Sequence, residues 1–293
     1  MNMKQIYRLL LLIFSIGFFS CDFVKDAREN TIAQNNTNTE GKVYRNVLVE
    51  DYTGHKCGNC PAAAIELKRI YEYYPGKVIP LAVHAGFFAY TNVLYPTDLQ
   101  SADGTIYDNT FGISAVGNPN GLINRVGFGT SNFIQPYTSW QSGVDTMVSQ
   151  EAWFKIDISN VFNSASGNLS TSIKVIPLRN ITGNFNLSVL ISEDSLLGEQ
   201  LDYSLPSGQQ VVQNYRFDHV LRGAINSTWG DQVVNGVINS NDTVVKLYSN
   251  INLSAIATRP AKCHVVAFVY DADNNSSRRY EVFQAEEKKV IVP

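Results

Sequence analysis

Cysteine is scarce in this chain: four residues in 293, with Cys57 and Cys60 two residues apart in "HKCGNCP". There is no second CxxC and no HxxxH, so the spacings usual for a four-ligand zinc site are missing. Basic charge is also short, with 23 Lys and Arg against 26 Asp and Glu. That balance gives no electrostatic basis for binding nucleic acid. Past residue 20 no long apolar run occurs, which excludes a second membrane-length segment. No internal repeat, phosphate loop, clustered carboxylates or Ser/His/Asp arrangement stands out.

What is present starts at the N-terminus. Lys4 and Arg8 precede "LLLLIFSIGFF", an apolar run of eleven residues, and Ser20-Cys21 follows. A basic start, a short apolar core and a small residue describe a secretory signal over residues 1–20. The run is shorter than the roughly 20 residues a membrane span needs. "GFFSC" resembles the lipobox of bacterial lipoproteins, with Phe18 and Phe19 where Leu and a small residue are commoner. That resemblance makes Cys21 the lipidated first residue of the mature chain and gives it membrane attachment through lipid. Loss of Lys4 and Arg8 leaves 21 basic and 26 acidic residues, a net charge of −5. Residues 21–42 hold few large apolar groups and much Asn and Thr, as in a tether.

The remaining residues divide by pattern near 152. Over 43–152, apolar strands alternate with helical stretches: strands at 43–53, 77–84 and 120–126, and helices at 61–74 and 136–150, with a partly helical 97–112. Strand, helix and strand in this order imply a parallel pair with a right-handed crossover. Over 153–293, short alternating strands separated by Asn, Ser and Gly suggest a two-sheet sandwich of immunoglobulin type, without the Cys…Trp…Cys signature. The expected fold class is therefore an α/β domain followed by an all-β sandwich.

The CxxC pair falls where the first strand ends and the first helix begins. Unsatisfied N–H groups at a helix start favour a thiolate, and His55 and Lys56 would add positive potential. This points to Cys57 as nucleophile and Cys60 as resolving thiol. Two other readings stand beside it. A zinc site would recruit His55 and His84, and a structural disulfide would close only a very small loop. No cofactor or metal is called for by the exchange reading.

"VLVEDYTGHKCGNC" resembles the active-site region of the thioredoxin superfamily. The resemblance implies a thioredoxin-like domain over 43–152. It implies that Asp51, six residues before Cys57, handles the proton of the resolving thiol. It also implies that Pro119 in "AVGNPNGLINR" is a cis-proline opposite the dithiol. Lys56 replaces the usual tryptophan, and Asn118 a usual β-branched residue. Together with the lipobox, "GNPNGLINR" and "YRFDHVLRGA", the chain resembles the twenty-eight-kilodalton outer-membrane lipoprotein family. That resemblance implies an outer-membrane location by lipid anchor, on the periplasmic or the surface face, and a thioredoxin-like domain joined to a β-sandwich. An adhesin or receptor role has been suggested for that family.

Other segments have two readings each. The aromatics Phe87, Phe88, Tyr90 and Tyr95 form either a peptide-binding surface or a small satellite core. "NYRFDHVLRGA" with "STWGD" is unusually rich in Arg, His, Asp and aromatics for a sandwich loop. It reads as a binding or interdomain contact, or as a structural turn with Arg222 paired to an acid. Cys263, without a partner in its own half, reads as a small buried apolar residue. The expected function is thiol–disulfide exchange on exported proteins or peptides, and the rival is an adhesin or receptor using the fold as scaffold.

Overall fold

Seven consecutive buried residues, Val47–Thr53 (β1), form the strand around which the chain is organised. Both edges of β1 are paired: Val78–His84 (β2) lies parallel on one side and Asn120–Ile123 (β3) antiparallel on the other. The computed structural model describes residues 41–130 and 132–292. The expected signal, Cys21 and all but the last two residues of the expected tether lie outside the described residues.

The first helix, Cys60–Tyr73 (α1), follows the β1 edge loop. Pro61 costs nothing in its first turn, where the missing N–H had no helical partner. Cys60, Ala63, Leu67 and Ile70 form its buried stripe, a helical spacing, and the last three pack with Val47, Val49 and Val78. Ala102–Phe111 (α2) is capped by Ser101, whose side chain accepts from the Gly104 N–H. Ile113–Val116 (α3) and Trp140–Val148 (α4) complete the helices, and Trp140 is fully buried beside α1.

The other strands are Gln135–Pro136 (β4), Phe154–Asn163 (β5), Asn168–Pro177 (β6), Ile181–Glu193 (β7), Leu196–Leu201 (β8), Val211–Phe217 (β9), Val220–Ala224 (β10), Asp231–Ile238 (β11), Val244–Asn252 (β12), Cys263–Asp271 (β13) and Val282–Lys289 (β14). Nine strands make one mixed sheet in the order β14-β13-β7-β10-β2-β1-β3-β4, with β11 also on β7. A three-stranded sheet, β12-β6-β5, packs against part of it through Phe154, Ile173, Val189 and Phe283. The hairpin β8–β9 stands apart as its own two-stranded sheet.

This architecture corrects the expected fold class of a thioredoxin-like α/β domain followed by an immunoglobulin-like sandwich. The free edge of β2 is taken by β10 in parallel, with Val220 opposite Ala82 and the Ala82 N–H donating to the His219 carbonyl at 2.8 Å. The strands around Cys57 therefore continue into β10, β7, β13 and β14 as one predominantly β structure. Hydrophobic periodicity reports which faces are buried and says nothing about which strand fills an edge. The second half also departs from a two-sheet sandwich because β8–β9 leaves it altogether.

Strand parity sets the chemistry of the two faces of β1. Leu48 and Tyr52 pack with Tyr107, Leu122 and Phe268 on one face. Val47 and Val49 pack under α1 on the other. Glu50 shares the first face and Asp51 the second, so Asp51 lies on the side from which Cys60 descends.

Candidate functional site

Cys57 and Cys60 form a disulfide with Cα atoms 5.4 Å apart. The Cys57 N–H donates to Gly54 at 2.9 Å and the Cys60 N–H to the Cys57 carbonyl at 3.2 Å, a tight turn feeding α1. Asn59 is the N-cap, so Cys60 occupies the first helical position and Cys57 stands before it. Both residues are buried, Cys57 at 3% and Cys60 at 2% exposure. Their two sides meet different surroundings.

On the Cys57 side the cover is the β8–β9 hairpin. The Leu201 N–H donates to His55 at 2.8 Å, the Tyr203 N–H donates to Gly58 at 2.8 Å, and Gln200 Nε2 donates to the Cys57 carbonyl at 3.0 Å. Gly58 is required by this approach: a Cβ there would lie 2.5 Å from the Tyr203 ring. Gly54 is required by the opposite neighbour, since its Cβ would lie 2.4 Å from the Phe88 carbonyl carbon. Both glycines thus mark close approaches of other chain segments.

On the Cys60 side lies a cavity of about 380 Å³ between α1, β2 and the Tyr215–His219 segment. Asp51, Cys60, His84, Gln200 and Tyr215 line it, with Leu67 and Phe217 among its apolar walls. Asp51 is almost fully buried and its Oδ1 has no hydrogen-bond partner. Burial pushes its carboxyl up to about 7. His84 is buried with Nδ1 unpartnered, and Phe217 stands edge-on to its ring at 5.4 Å. Burial, then the nearby His55 and Arg222, pull His84 down to about 3, so it is neutral.

The register places Pro119 at the same edge. Asn120 pairs with Tyr52, so Pro119 stands level with Thr53, and the Asn118–Pro119 peptide is cis. Asp51, Cys57, Cys60 and Pro119 therefore gather at the C-terminal end of β1. Cys21 lies outside the described residues.

His55 differs from its expected electrostatic role. Its Nε2 sits 3.2 Å from the Tyr90 carbonyl and its ring stacks on Tyr95 at 5.4 Å. Burial lowers its pKa against the pull of Tyr90, so it adds no fixed positive charge. Lys56 lies over the Phe87 ring at 4.8 Å. The two sulfurs bind each other, and no group of three His, Cys, Asp or Glu that could hold a metal occurs among the described residues.

The far end of the cavity was only partly legible from sequence. His264 Nε2 lies 3.3 Å from Asp194, and its Nδ1 lies 3.6 Å from Glu287. Burial opposes its charge, but those two acids hold His264 protonated up to about 9. Asp194, despite burial, is held at about 2 by His264 and His219. "NYRFDHVLRGA" contributes Tyr215, Phe217 and His219 to this wall, while Arg222 Nε pairs with buried Glu193 at 3.5 Å. The Arg222 pairing matches the structural-turn reading of that segment. The aromatic loop also divides: Tyr95 is buried, whereas Phe87 and Tyr90 are exposed.

Residues 105–291 match the family described as outer membrane protein Omp28. The chain belongs to the Omp28 family. The matched stretch begins after the CxxC motif and includes Pro119, the β8–β9 hairpin and the His264 cluster. Omp28 membership places the chain at the outer membrane. Among the described residues no helix is long and apolar enough to cross a membrane.

Solved structures show how far the Omp28 chain shares its fold. HBP35 of Porphyromonas gingivalis is 16% identical with a TM-score of 0.60, covering 85% of this chain and 76% of that one. Protein AGR_C_4864 of Agrobacterium tumefaciens is 13% identical with a TM-score of 0.51, covering 86% and 97%. A domain of the outer membrane lipoprotein Omp28 from Porphyromonas gingivalis is 21% identical over 47% of this chain and 88% of that one, with a TM-score of 0.30. Among curated proteins, none matches the chain significantly.

Proposed function

We propose that this Omp28-family protein, anchored through lipid on Cys21, performs thiol–disulfide exchange on exported polypeptides. The observation that carries the reading is the buried Asp51 carboxyl, its Oδ1 unpartnered, sharing a cavity with Cys60 of the Cys57–Cys60 disulfide. A carboxyl near 7 can both give and take a proton at neutral pH. A purely structural disulfide has no use for such a group, and the desolvated acid costs stability.

The step balances as follows. A substrate thiolate attacks Cys57 Sγ, the Sγ–Sγ bond breaks, and Cys60 leaves as a thiolate that takes the Asp51 proton. A second substrate thiolate then attacks the substrate sulfur of the mixed disulfide and releases Cys57. Two electrons pass from the substrate dithiol to the protein disulfide, and Asp51 regains its proton through the cavity. The reverse sequence reduces a substrate disulfide. Pro119 shapes the edge beside Thr53 where the substrate chain approaches.

A second reading, an adhesin or receptor, draws on the exposed Phe87, Tyr90, Val93 and Leu94. Trapping separates the two. Cys60→Ala in a Cys263→Ala background should accumulate partners as mixed disulfides on Cys57, seen as reductant-sensitive bands on a non-reducing gel. The same protein carrying Cys57→Ala should show none. An exported, folded Cys60→Ala protein without trapped species removes the exchange reading and favours the binder.

A further inference from the structure

We infer that Gln200–Tyr203 is an internal occupant of a polypeptide-docking edge on the CxxC motif, and that an extended substrate segment bearing an aromatic side chain must displace it. The inference deepens the exchange reading and rests on it for the identity of the substrate.

Backbone geometry is the first argument. Leu201 and Tyr203 donate their N–H groups to the carbonyls of His55 and Gly58 at 2.8 Å each. Two backbone donors on one segment, both engaging carbonyls of the single turn His55–Gly58, hold that segment against the motif as a docked polypeptide would be held. The carbonyls of His55, Cys57 and Gly58 belong to the motif itself, and all three accept from residues 200–203, the Cys57 carbonyl also from the Cys60 N–H. Any polypeptide reaching Cys57 from this side competes for the same acceptors.

Side-chain fit is the second argument. Gly58 lacks a Cβ where the Tyr203 ring lies, and its backbone is not in the left-handed region that would itself demand glycine. The missing side chain is a seat for a flat ring. Tyr203 nevertheless remains 57% exposed, so the ring rests on the seat without being locked into a core.

The third argument is how the segment is held. The β8–β9 hairpin pairs with no strand of either larger sheet. Its root is fixed by a small cluster of Leu99, Leu196, Phe217 and Val220, while its tip carries Pro206 and Gly208 in an exposed turn. Such an element can lift from Cys57 about its root without unpairing the nine-stranded sheet. In the closed position it shields Cys57 from indiscriminate thiols.

The test is the rate at which dithiothreitol reduces Cys57–Cys60 in the full folded chain. Tyr203→Ala should accelerate reduction by about tenfold, the factor for about 1.4 kcal/mol less closing free energy. A synthetic peptide copying residues 200–204 should bind the Tyr203→Ala protein and return its rate toward that of the native protein. Gly58→Ala, which removes the seat while retaining Tyr203, provides a second route to the same acceleration if Tyr203→Ala does not fold. Unchanged rates in the folded variant overturn the inference, as does acceleration that the peptide does not reverse. Trapping by Cys60→Ala is scored separately. Trapped partners with unchanged reduction rates remove the internal occupant and keep the exchange reading. Faster, peptide-reversible reduction without trapped partners keeps the docking edge and removes exchange as its purpose.

Discussion

Arg125 and Glu50 form a two-bond ion pair, Nε to Oε2 and Nη2 to Oε1 at 2.8 Å each, with neither side chain exposed. Glu50 comes from β1, and Arg125 lies just past β3. The guanidinium also faces the rings of Phe268 and Tyr270 in β13, at 4.9 and 5.8 Å. The pair therefore joins the strand that carries the motif to the distant part of the same sheet. Removing two charges from water costs several kcal/mol per ion, and only two-point geometry and surrounding rings offset it.

Breaking one partner should be worse than replacing both. Arg125→Met leaves Glu50 charged and alone in the core and should cost about 3–5 kcal/mol. The Glu50→Leu, Arg125→Met double variant should recover most of that loss. Urea unfolding of the oxidised protein measures both. A double variant no more stable than the single would show that the pair supplies net stability beyond mutual neutralisation.

Asp51 predicts a pH window. Its carboxyl titrates near 7 in the folded chain against an ordinary value of 3.8. Between those values the native state holds a proton the unfolded chain has released, so this group lowers stability as pH rises from about 4 to 7. Above 7 the full cost of the buried carboxylate is present. Asp51→Asn cannot ionise and should be more stable than the native protein at pH 8, by on the order of a few kcal/mol. At pH 3 the two should be nearly equal. The His264 contribution, lost as pH rises toward 9, is common to both proteins and cancels in the comparison. A stability difference that does not vary between pH 3 and 8 would show that Asp51 is not desolvated as described.

Parts of this site were legible because they depend on local chemistry. The β1 stretch, rich in β-branched residues, reads as a buried strand, and all seven residues of Val47–Thr53 are buried. The CxxC motif reads as a strand-to-helix turn, and it forms one. "NYRFDHVLRGA" is conspicuous by composition, and it lines the cavity. What was not legible depends on pairing across sequence. Val220–Ala224 looks too short for an inner strand and is interrupted by Arg222 and Gly223, yet it takes the free edge of β2 at Val220. Leu196–Leu201 and Val211–Phe217 alternate like any hairpin, and nothing local says that they leave the sandwich to cover Cys57. Gly58 was the one local trace of that cover, since a glycine between two cysteines in a helix-initiating turn needs a reason. Strand parity puts Asp51 on the α1 face, but only the folded packing leaves its Oδ1 unpartnered.

The division of the disulfide into two sides yields the last prediction. Cys57 faces the segment that a substrate would displace, and Cys60 faces Asp51 and the cavity. In the reduced protein the Cys60 thiol begins α1, is buried, and shares its cavity with the Asp51 carboxyl, whose ionised form near neutral pH disfavours a second negative charge there. Cys57 precedes the helix start and gains the N-terminal partial charge without that acidic neighbour. A preference of about 1.4 kcal/mol for reaction at Cys57 is a factor of about ten in labelling rate. Alkylation of the reduced Cys263→Ala protein with iodoacetamide at pH 7 should therefore label Cys57 about tenfold faster than Cys60. Asp51→Asn should narrow the gap, because it removes the acid from the Cys60 side. Mapping the label by mass spectrometry reads both effects. Faster labelling at Cys60 would reverse the two roles and place the attacked sulfur on the cavity side.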